Sequence, residues 1–536
     1  MPTVADHIAR RLAEAGCRYA FGIPGGEVLE LIRALEAVEI QLVLAKHENA
    51  AGFMAEGTHH RTGAPALLVA TLGPGVANAV NVVANAQQDR VPMIFLTGCV
   101  DPVEAATYTH QVFDHAAVLG PITKASLTAV AGATDSLIDK AIAIATDDPP
   151  GPVHLDVSVA SATRAESVER PARRARITRG APAAGPELDQ SRAWLSEAER
   201  PLLIAGMEVL HHRAEGELAS LARDFGIPVI TTYKAKGVLD ESDPLSLGGA
   251  GLSPAADELL LPVVAGSDLV LLAGYDPIEM RPSWRGPWAG DARVVEFSAT
   301  PNTHYMHHAS QSFVGDVGAG LRALRRGASR RSRWSPSELE RTRAVMRDVL
   351  GADADWGPAA IVDQVRRRVP RDAIATVDSG AHRIVLSQIW HCHEPRTLLQ
   401  SSALCTMGCA LPLALGAKLG DPGRPVVCFV GDAGLEMVLG ELATARDLGR
   451  PIVIVVFVDS SLALIELKQR QIGHERRGVA FGATDLAAVA DAMGGRGFDA
   501  RTREELDAAL ASAAVGAGGF TLIACRIDQL AYEGRL

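Results

Sequence analysis

Two aspartates in the C-terminal third of the sequence each follow an apolar run. Asp432 ends the run RPVVCFVGD, Asp459 ends the run PIVIVVFVD, and the segment LEMVLGELATARDLG between them has the apolar spacing of a helix. A strand, a helix and a second strand form a βαβ unit, whose two strands run parallel and end at the same edge of one sheet. We therefore expect the two carboxylates to lie close together at that edge.

A loop of small residues surrounds the first aspartate. Gly431, Ala433 and Gly434 lead into the start of the predicted helix, where backbone N–H groups and the helix dipole can hold phosphate oxygens. Two carboxylates beside such a loop suit a hard cation, Mg²⁺ or Ca²⁺, that bridges a diphosphate. The residues alone leave a second interpretation open, in which Asp432 caps the helix and Asp459 begins a turn.

Length and charge limit the kind of protein. The chain has 536 residues and a net charge of −11, which favours several domains and argues against non-specific binding of nucleic acid. The least charged stretch, Leu67–Gln88, is interrupted by Gly73, Pro74 and Gly75 and contains three asparagines. We therefore expect no membrane span.

The cysteines point to a reducing compartment. There are seven, an odd number, and no pair has the spacing of a metal finger, so we expect reduced thiols in a cytoplasmic protein. The cluster His391-Cys392-His393 is an alternative metal site, but the sequence offers it no second pair of ligands.

Apolar runs alternate with helical patterns along the whole chain. Two segments without a periodic apolar face, Ser161–Pro186 and Arg325–Glu338, are interpreted as linkers. They divide the chain into domains at 1–165, 187–325 and 340–536. The predicted strands are 18–23, 41–45, 65–71 and 91–98, then 200–206, 227–233, 268–274 and 293–298, then 372–380, 424–432, 451–459 and 520–528. Continuous apolar strands separated by helices predict an α/β protein of three consecutive doubly wound domains with mainly parallel sheets.

The pair Gly431-Asp432-Ala433 and Val458-Asp459 resembles the fingerprint of thiamin-diphosphate enzymes, a Gly-Asp-Gly followed by Asn-Asn. Six further segments resemble the acetolactate synthase-like branch of that family, and they follow its order: YAFGIPGGEVLELIRAL, KHENAAGFMAEG, TLGPGVANAV, VFDHAAVLGPITKAS, VDSGAHR and CTMGCALPLALGAKLG. The resemblance spans almost the whole chain. It implies a pyrimidine-binding, a central and a diphosphate-binding domain, in that order.

The resemblance also assigns roles to residues. Glu48 matches the glutamate that contacts the aminopyrimidine ring, and Gln111 aligns with a glutamine at the active-site entrance. Met407 matches the apolar residue that supports the bent cofactor. The implied metal ligands are Asp432, Asp459 and the backbone carbonyl of Ser461. The other implied cofactor-binding residues are Gly25, Gly26, Gly75, Asn78, Gly380, Ala381, His382, Gly431, Ala433 and Gly434.

The chain departs from the family fingerprint at three positions. Ala433 stands where glycine is usual, and its Cβ is expected to shift the phosphate loop slightly. Val458 and Asp459 replace the two asparagines. Asp459 keeps an oxygen ligand, and its extra charge is expected to suit Mg²⁺.

The activity implied by the resemblance is decarboxylation of a 2-oxo acid, pyruvate by default, followed by carboligation to a second carbonyl compound. Simple decarboxylases of the family place histidines at the site. This chain has Thr71 at one such position, and His110 and His115 are the remaining candidates. The alternatives are simple decarboxylation to an aldehyde, a 2-hydroxyacyl-CoA lyase type of reaction, and a non-catalytic cofactor-binding protein.

The implied cofactors are thiamin diphosphate and Mg²⁺, and FAD is not predicted although Arg281 is retained in a loop that the flavin-bearing relatives share. The implied assembly is a homodimer or homotetramer, in which Glu48 of one subunit and Asp432 of another complete each site. No nucleic-acid or membrane partner is expected.

Overall fold

Parallel strands make up all three sheets of the protein. The computed structural model describes residues 1–101, 103–166, 178–278, 280–329, 332–515 and 519–536. Each sheet has six strands, and every pairing between neighbouring strands is parallel. The expected fold class, three consecutive doubly wound α/β domains, is confirmed. The boundaries at 1–165, 187–325 and 340–536 stay a prediction.

The N-terminal domain orders its strands β2-β1-β3-β4-β6-β5. Its strands are β1 Tyr19–Ile23, β2 Gln41–Leu44, β3 Ala66–Ala70, β4 Met93–Cys99, β5 Ala125–Thr128 and β6 Pro152–Ser158. Its helices are α1 Val4–Glu14, α2 Leu29–Ala37, α3 Glu48–Thr62, α4 Pro74–Gln88, α5 His115–Leu119, α6 Thr134–Thr146 and α7 Val159–Ala162, with 3₁₀ turns at Gly26–Val28, Glu104–Ala106 and Gly120–Ile122.

The central domain has the order β12-β11-β10-β7-β8-β9. Its strands are β7 Pro201–Ala205, β8 Val229–Thr232, β9 Ser246–Ala250, β10 Leu269–Ala273, β11 Arg293–Ser298 and β12 Gln311–Val314. Its helices are α8 Pro186–Glu197, α9 Glu208–His211, α10 Glu215–Phe225, α11 Pro254–Ala265 and α12 Val317–Arg325, with 3₁₀ turns at Tyr233–Ala235 and Pro282–Trp284.

The C-terminal domain has the order β14-β13-β15-β16-β18-β17. Its strands are β13 Ile374–Val377, β14 Leu398–Gln400, β15 Val426–Gly431, β16 Ile452–Val458, β17 Arg496–Ala500 and β18 Phe520–Arg526. Its helices are α13 Pro336–Leu350, α14 Pro358–Arg368, α15 Ala381–Ile389, α16 Ala410–Gly420, α17 Asp432–Met437, α18 Glu441–Leu448, α19 Ala463–Gln471, α20 Leu486–Ala492 and α21 Arg503–Val515.

The predicted βαβ unit is present, with one difference. Strands β15 and β16 are neighbours in parallel register, and Gly431 lies opposite Phe457. The prediction of one continuous helix over LEMVLGELATARDLG is wrong, because the chain forms α17 and α18 with a break before Glu441. The carboxylate of Glu441 accepts a hydrogen bond from the backbone N–H of Lys46. The break thus lets α18 begin against the N-terminal domain.

Helices α3 and α16 join the N-terminal and C-terminal domains at very short range. A Cβ at Gly57 would lie 2.3 Å from the carbonyl oxygen of Leu413, and a Cβ at Gly416 would lie 1.9 Å from that of Met54. Glycine at both positions therefore lets the two backbones touch. One hydrophobic core runs through both domains around this contact.

Two further predictions concern the surface and the linkers. No helix among the described residues is long and apolar enough to cross a membrane. The predicted linker Ser161–Pro186 lies partly outside the described residues, at 167–177, and the linker Arg325–Glu338 does so at 330 and 331.

Candidate active site

Asp432 and Asp459 lie together at the carboxyl edge of the C-terminal sheet. Asp432 is the first residue of α17, directly after β15, and Asp459 follows β16. The Asp432 carboxylate accepts hydrogen bonds from the backbone N–H groups of Asp459 (3.1 Å), Ser460 (2.7 Å) and Ala433 (2.8 Å). The Asp459 carboxylate accepts one from the N–H of Ser461 (2.9 Å). Backbone N–H groups of residues 459–461 thus bind both carboxylates and hold them next to each other.

Burial makes this pair of carboxylates electrostatically strained. Burial raises the pKa of Asp432 above its usual value in spite of the three N–H donors. Burial and then the charge of Asp432 raise the pKa of Asp459 to about 7. A divalent cation between the two carboxylates would remove their repulsion, so the donor set fits a hard cation.

A cavity of about 190 Å³ adjoins the aspartates. It is lined by ten of the residues that the sequence assigns to the cofactor or metal: Gly380, Ala381, His382, Met407, Gly431, Asp432, Ala433, Gly434, Asp459 and Ser461. Helix α15 begins at this cavity, directly after Gly380. Its first-turn N–H groups are the kind of donor that binds a phosphate group.

His382 presents an unused polar atom in this region. Its ring is buried and stacks on Phe457, with 5.2 Å between the ring centroids. The Nε2 atom has no hydrogen-bond partner among the described residues. Burial, with a smaller contribution from Arg383, lowers the pKa of His382 to about 3. A neutral ring with an unmet nitrogen in the cavity wall fits a bound polar group such as a diphosphate.

Asp378, which the sequence analysis missed, supports the loop that carries Met407. Its fully buried carboxylate accepts hydrogen bonds from the backbone N–H groups of Gly408 (2.8 Å), Cys409 (2.7 Å) and Ala410 (3.3 Å). The start of α16, and with it the position of Met407, therefore depends on this carboxylate. Its place in VDSGAHR, at the end of a predicted strand, was the available signal.

Tyr532 is a second residue that sequence reasoning missed. It is buried and lines the same cavity from the C-terminal segment of the chain. Its distance along the sequence from the other lining residues leaves no local pattern that could have identified it.

A second group of predicted residues lies at the carboxyl edge of the N-terminal sheet. Glu48 is the first residue of α3, is buried, and accepts a hydrogen bond from the amide of Asn78 (3.0 Å). A Cβ at Gly75 would lie 3.4 Å from the Glu48 carboxylate, and one at Gly25 would lie 2.3 Å from the Thr71 hydroxyl. Small residues therefore keep this pocket open around the Glu48 carboxylate. Gly26, next to Gly25, has open space where a Cβ would be.

Gln111 lies on the wall of a larger cavity of about 510 Å³, and its backbone packs against Gly73 in the turn after β3. Gln111 is exposed and has a left-handed backbone, with φ of 57°. The same cavity is lined by His115 and Asp156, and by Leu72. Leu72 belongs to the turn between β3 and α4, so this cavity adjoins the turn that also borders Glu48.

His115 connects Asp156 to the turn after β3. Its Nδ1 lies 2.8 Å from the Asp156 carboxylate, and its Nε2 accepts the N–H of Gly73 at 3.5 Å. Burial raises the pKa of Asp156, but hydrogen bonds from His115 and His154 outweigh this effect, and the pKa is held well below its usual range. Asp156 is therefore ionised at neutral pH.

His115, His154 and Asp156 place three potential metal ligands within 4.8 Å of one another. Both ring nitrogens of His154 lie 2.7 Å from hydroxyl groups, those of Thr97 and Ser126. Hydrogen bonds thus account for the group without a metal. His391-Cys392-His393 does not form such a group in the described part of the chain.

The structure therefore collects the predicted residues in two separate places. Ten surround the cavity in the C-terminal domain. Glu48, Gly25, Gly75 and Asn78 surround the Glu48 pocket, and none of these lines the C-terminal cavity in the described structure.

Models of known protein families match the chain along most of its length. Three family models match in order: the N-terminal binding domain of thiamine pyrophosphate enzymes over residues 2–118, their central domain over 188–324, and their C-terminal binding domain over 378–525. The central match contains all six strands of the central sheet, whereas the N-terminal match ends before β5 and β6 and the C-terminal match begins just after β13.

Curated relatives cover nearly the whole chain. An acetolactate synthase of Bacillus subtilis is 28% identical over 522 residues, covering 94% of this chain and 89% of the relative. The large subunit of acetolactate synthase isozyme 1 of Escherichia coli is 30% identical over 475 residues, covering 87% and 83%. A probable 2-ketoarginine decarboxylase of Pseudomonas aeruginosa is 30% identical over 536 residues, covering 98% and 94%.

Proposed function

The chain belongs to the thiamine pyrophosphate enzyme family, and on that premise we propose that it decarboxylates a 2-oxo acid and joins the remaining fragment to a second carbonyl compound. The observation that carries the proposal is the pair of aspartates at the C-terminal cavity, where burial and the charge of Asp432 raise the pKa of Asp459 to about 7 and a hard cation would offset the repulsion between them. Thiamin diphosphate supplies the electron sink for decarboxylation when it is bound.

Different residues of the chain would bind the diphosphate end and the pyrimidine end of the cofactor. Asp432, Asp459 and the Ser461 carbonyl would hold Mg²⁺ against the diphosphate, and the start of α15 would donate N–H groups to it. Glu48 would exchange a proton with the pyrimidine ring, oriented by its hydrogen bond from Asn78. Met407, supported by Asp378, would keep the cofactor bent.

Ligation is favoured over simple protonation by the groups around Glu48. Thr71 donates its hydroxyl proton to Glu27 at 2.6 Å, and both nitrogens of His115 are occupied by Asp156 and Gly73. Of the two candidate histidines, His115 is therefore held at both ring nitrogens, and His110, which is exposed beside Tyr108, stays a candidate proton donor. The occupied nitrogens of His115 support the acetolactate synthase-like reaction. A cytoplasmic location, which the seven unpaired cysteines favour, is part of the same proposal.

The separation of the two groups supports a site shared between two subunits. Met437, Ile465 and Ile472 are exposed apolar side chains on or beside the helices that border the C-terminal cavity. A second copy that brings its Glu48 to this cavity would cover them. We infer at least a homodimer.

The direct test of the reaction measures carbon dioxide and acyloin formation from a panel of 2-oxo acids with Mg²⁺ and thiamin diphosphate. Both products should require both additions, and Glu48→Gln should lower the rate by at least about a hundredfold, the usual contribution of a proton-transfer group. Glu36→Gln, an exposed acid on α2, is the matched control and should keep the wild-type rate. Carbon dioxide without acyloin would replace ligation by simple decarboxylation. No carbon dioxide from any acid would refute the proposal.

Mixing two inactive variants tests the shared site. If Glu48→Gln and Asp432→Asn chains are unfolded and refolded together, about a quarter of the sites should combine two intact halves. Activity should then return to about that fraction of the wild-type value. A site contained within one chain would give no recovery.

A second candidate substrate is a 2-oxo acid with a cationic side chain. The relative from Pseudomonas aeruginosa is named for 2-ketoarginine. The cavity of about 510 Å³ beside the Glu48 pocket is lined by Asp101, Asp114 and Asp156, against one arginine, Arg164. A guanidinium group bound in this cavity would form ion pairs with these carboxylates.

The substrate choice is decided by comparing pyruvate with 5-guanidino-2-oxopentanoate. If the cationic acid is the substrate, Asp101→Asn should lower kcat/KM for it by about tenfold, corresponding to one lost ion pair in a cavity. Asp147→Asn removes the same charge from an exposed position outside this cavity and should change nothing. A wild-type preference for pyruvate would exclude this candidate.

A further inference from the structure

A buried set of polar side chains joins all three domains next to the loop that carries Met407. We call it the interdomain network: Glu56, Asn85 and Asp89 of the N-terminal domain, Lys234 of the central domain and Ser401 of the C-terminal domain. We propose that Lys234 is a positioning residue that holds the segment 401–406, and through it Met407, in the shape that binds the cofactor. The inference rests on the proposed function, because it concerns the same site.

The ammonium group of Lys234, from the central domain, lies between two buried carboxylates of the N-terminal domain. Lys234 lies in the 3₁₀ turn after β8. Its Nζ is 2.8 Å from the Asp89 carboxylate and 3.7 Å from that of Glu56, and it donates a hydrogen bond to the backbone carbonyl of Gln400 at 2.7 Å. Both carboxylate side chains are 0% exposed and that of Lys234 is 8% exposed. Burial raises the pKa of Glu56, and the charge of Lys234 opposes that rise.

Asp89 holds the first half of the segment. Its two carboxylate oxygens accept hydrogen bonds from the backbone N–H groups of Ser402 (3.1 Å) and Ala403 (2.9 Å). These bonds cross from the N-terminal to the C-terminal domain. The Lys234 ammonium group, 2.8 Å from the same carboxylate, fixes its position for both bonds.

Glu56 holds the second half through two intermediates. Its carboxylate accepts a hydrogen bond from the amide of Asn85 (3.0 Å), and the amide oxygen of Asn85 accepts one from the hydroxyl of Ser401 (2.6 Å). The Ser401 oxygen in turn accepts the backbone N–H of Thr406 (3.0 Å). Met407 is the next residue, so the network ends at the cavity wall.

The network is independent of the Asp378 carboxylate, which binds the residues after Met407. Met407 is therefore fixed from both sides: by Asp378 on its C-terminal side and by the network on its N-terminal side. Arg383 also donates hydrogen bonds to the Ser401 carbonyl and to Cys405 Sγ, so loss of the Lys234 charge should loosen the N-terminal side without freeing it entirely. The cavity should then lose its shape while the helices on either side remain folded.

Lys236 provides a matched control two residues away. It is also buried, and its Nζ is 2.6 Å from the carboxylate of Glu241. Glu241 accepts the backbone N–H of Cys392, so this ion pair also joins the central and C-terminal domains. Neither this ion pair nor the Glu241 hydrogen bond reaches residues 401–406. Removing either lysine should lower stability, but only Lys234 should affect the cofactor.

The experiment titrates the full-length chain with thiamin diphosphate in the presence of Mg²⁺ by isothermal titration calorimetry, with far-ultraviolet circular dichroism as the check on folding. Lys234→Met should raise the Kd for thiamin diphosphate by about tenfold or more, and Lys234→Arg, which keeps the cation, should restore it to within about threefold. Lys236→Met should leave the Kd unchanged within about twofold. Ser401→Ala, which removes the hydroxyl's two hydrogen bonds and no charge, should raise the Kd by about threefold even if Lys234→Met does not fold.

The outcomes separate the two proposals. Failure of the wild-type chain to bind thiamin diphosphate would overturn the proposed function, and this inference with it. Wild-type binding with an unchanged Kd in both Lys234→Met and Ser401→Ala would overturn the inference alone. An equal loss of affinity in Lys236→Met would also overturn it, since the effect would then follow from weakened domain packing in general.

Discussion

Gly434 leaves the space that the Asp378 carboxylate occupies, and alanine at this position should disrupt the cavity. A Cβ at Gly434 would lie 2.0 Å from Oδ2 of Asp378, well inside van der Waals contact. The backbone of this residue lies in α17 and resists movement, so the carboxylate must move. It would then lose the hydrogen bond of 2.8 Å from the N–H of Gly408.

The size of the effect follows from those two consequences. A buried N–H that loses its charged acceptor costs about 1–3 kcal/mol. Forcing an extra carbon into a packed interior costs about 1–3 kcal/mol more. Gly434→Ala should therefore lower the free energy of unfolding by about 2–6 kcal/mol. It should also weaken binding of thiamin diphosphate, because Met407 directly precedes Gly408.

Urea unfolding of the apoprotein and calorimetric titration with thiamin diphosphate measure the two effects. Ala433→Gly, the neighbouring change that adds no atom, should cost about 0.5–1 kcal/mol from backbone freedom alone. In the background of Asp378→Ala the clash partner is gone, so Gly434→Ala should there cost less than about 1 kcal/mol. An equal cost of Gly434→Ala with and without the Asp378 side chain would refute the reasoning.

Two further predictions concern charge. Burial raises the pKa of Glu208 from 4.5 to about 7, so the unfolded chain loses this proton at lower pH than the folded chain does. The free energy of unfolding should therefore fall by about 3 kcal/mol as pH rises from 4.5 to 7. Glu208→Gln should flatten that part of the pH profile when thermal unfolding is measured. Asp432→Asn should abolish binding of Mg²⁺ with thiamin diphosphate in a titration. Asp459→Asn should retain it, because this variant keeps an oxygen ligand and removes the repulsion between the carboxylates. Equal losses in both variants would contradict the assignment of the metal ligands.

Most interior strands could be predicted from the sequence, whereas five of the six edge strands could not; the sixth edge strand, β2, was predicted from its run QLVL. The twelve predicted strands are all present, and five of the six that were missed are β5, β9, β12, β14 and β17, each at the edge of a sheet. Edge strands have one free side, so they need no continuous apolar run. Strand β9, SLGGA, and strand β17, RGFDA, show this directly.

The sixth missed strand, β6, is interior and was missed for a different reason. His154 and Asp156 interrupt its apolar pattern. They are tolerated inside the sheet because the Thr97 hydroxyl lies 2.7 Å from the ring of His154 and 2.6 Å from the carboxylate of Asp156. The partner lies on β4, 57 residues before His154. A single sequence does not show such a pairing, so a polar strand cannot be told from a loop.

The candidate site divides in the same way. Asp432 and Asp459 could be placed from local pattern, because strand ends in a βαβ unit meet at one edge. Lys234 and Tyr532 could not, because each contacts residues distant in sequence. Asp378 had a local signal, its place at the end of a predicted strand, but its bonds to the turn after Met407 could not be foreseen. The capping box of α1, with Thr3 and Asp6, is the opposite case: both of its bonds are local, and the structure contains them.

The close contact of α3 and α16 has a consequence for assembly. Their backbones meet at Gly57 and Gly416 with no room for a Cβ, and a continuous core runs across the contact. The N-terminal and C-terminal domains of one chain therefore cannot swing against each other without breaking that core. Glu48 consequently cannot reach the cavity beside Asp432 by a hinge motion within the chain. If both groups act on one cofactor, as the family relationship leads us to propose, the Glu48 at each cavity must come from a second copy. Gly416→Ala would place a Cβ 1.9 Å from the carbonyl oxygen of Met54 and must push the two helices apart. It should therefore lower activity by displacing Glu48 relative to the cavity of the partner chain.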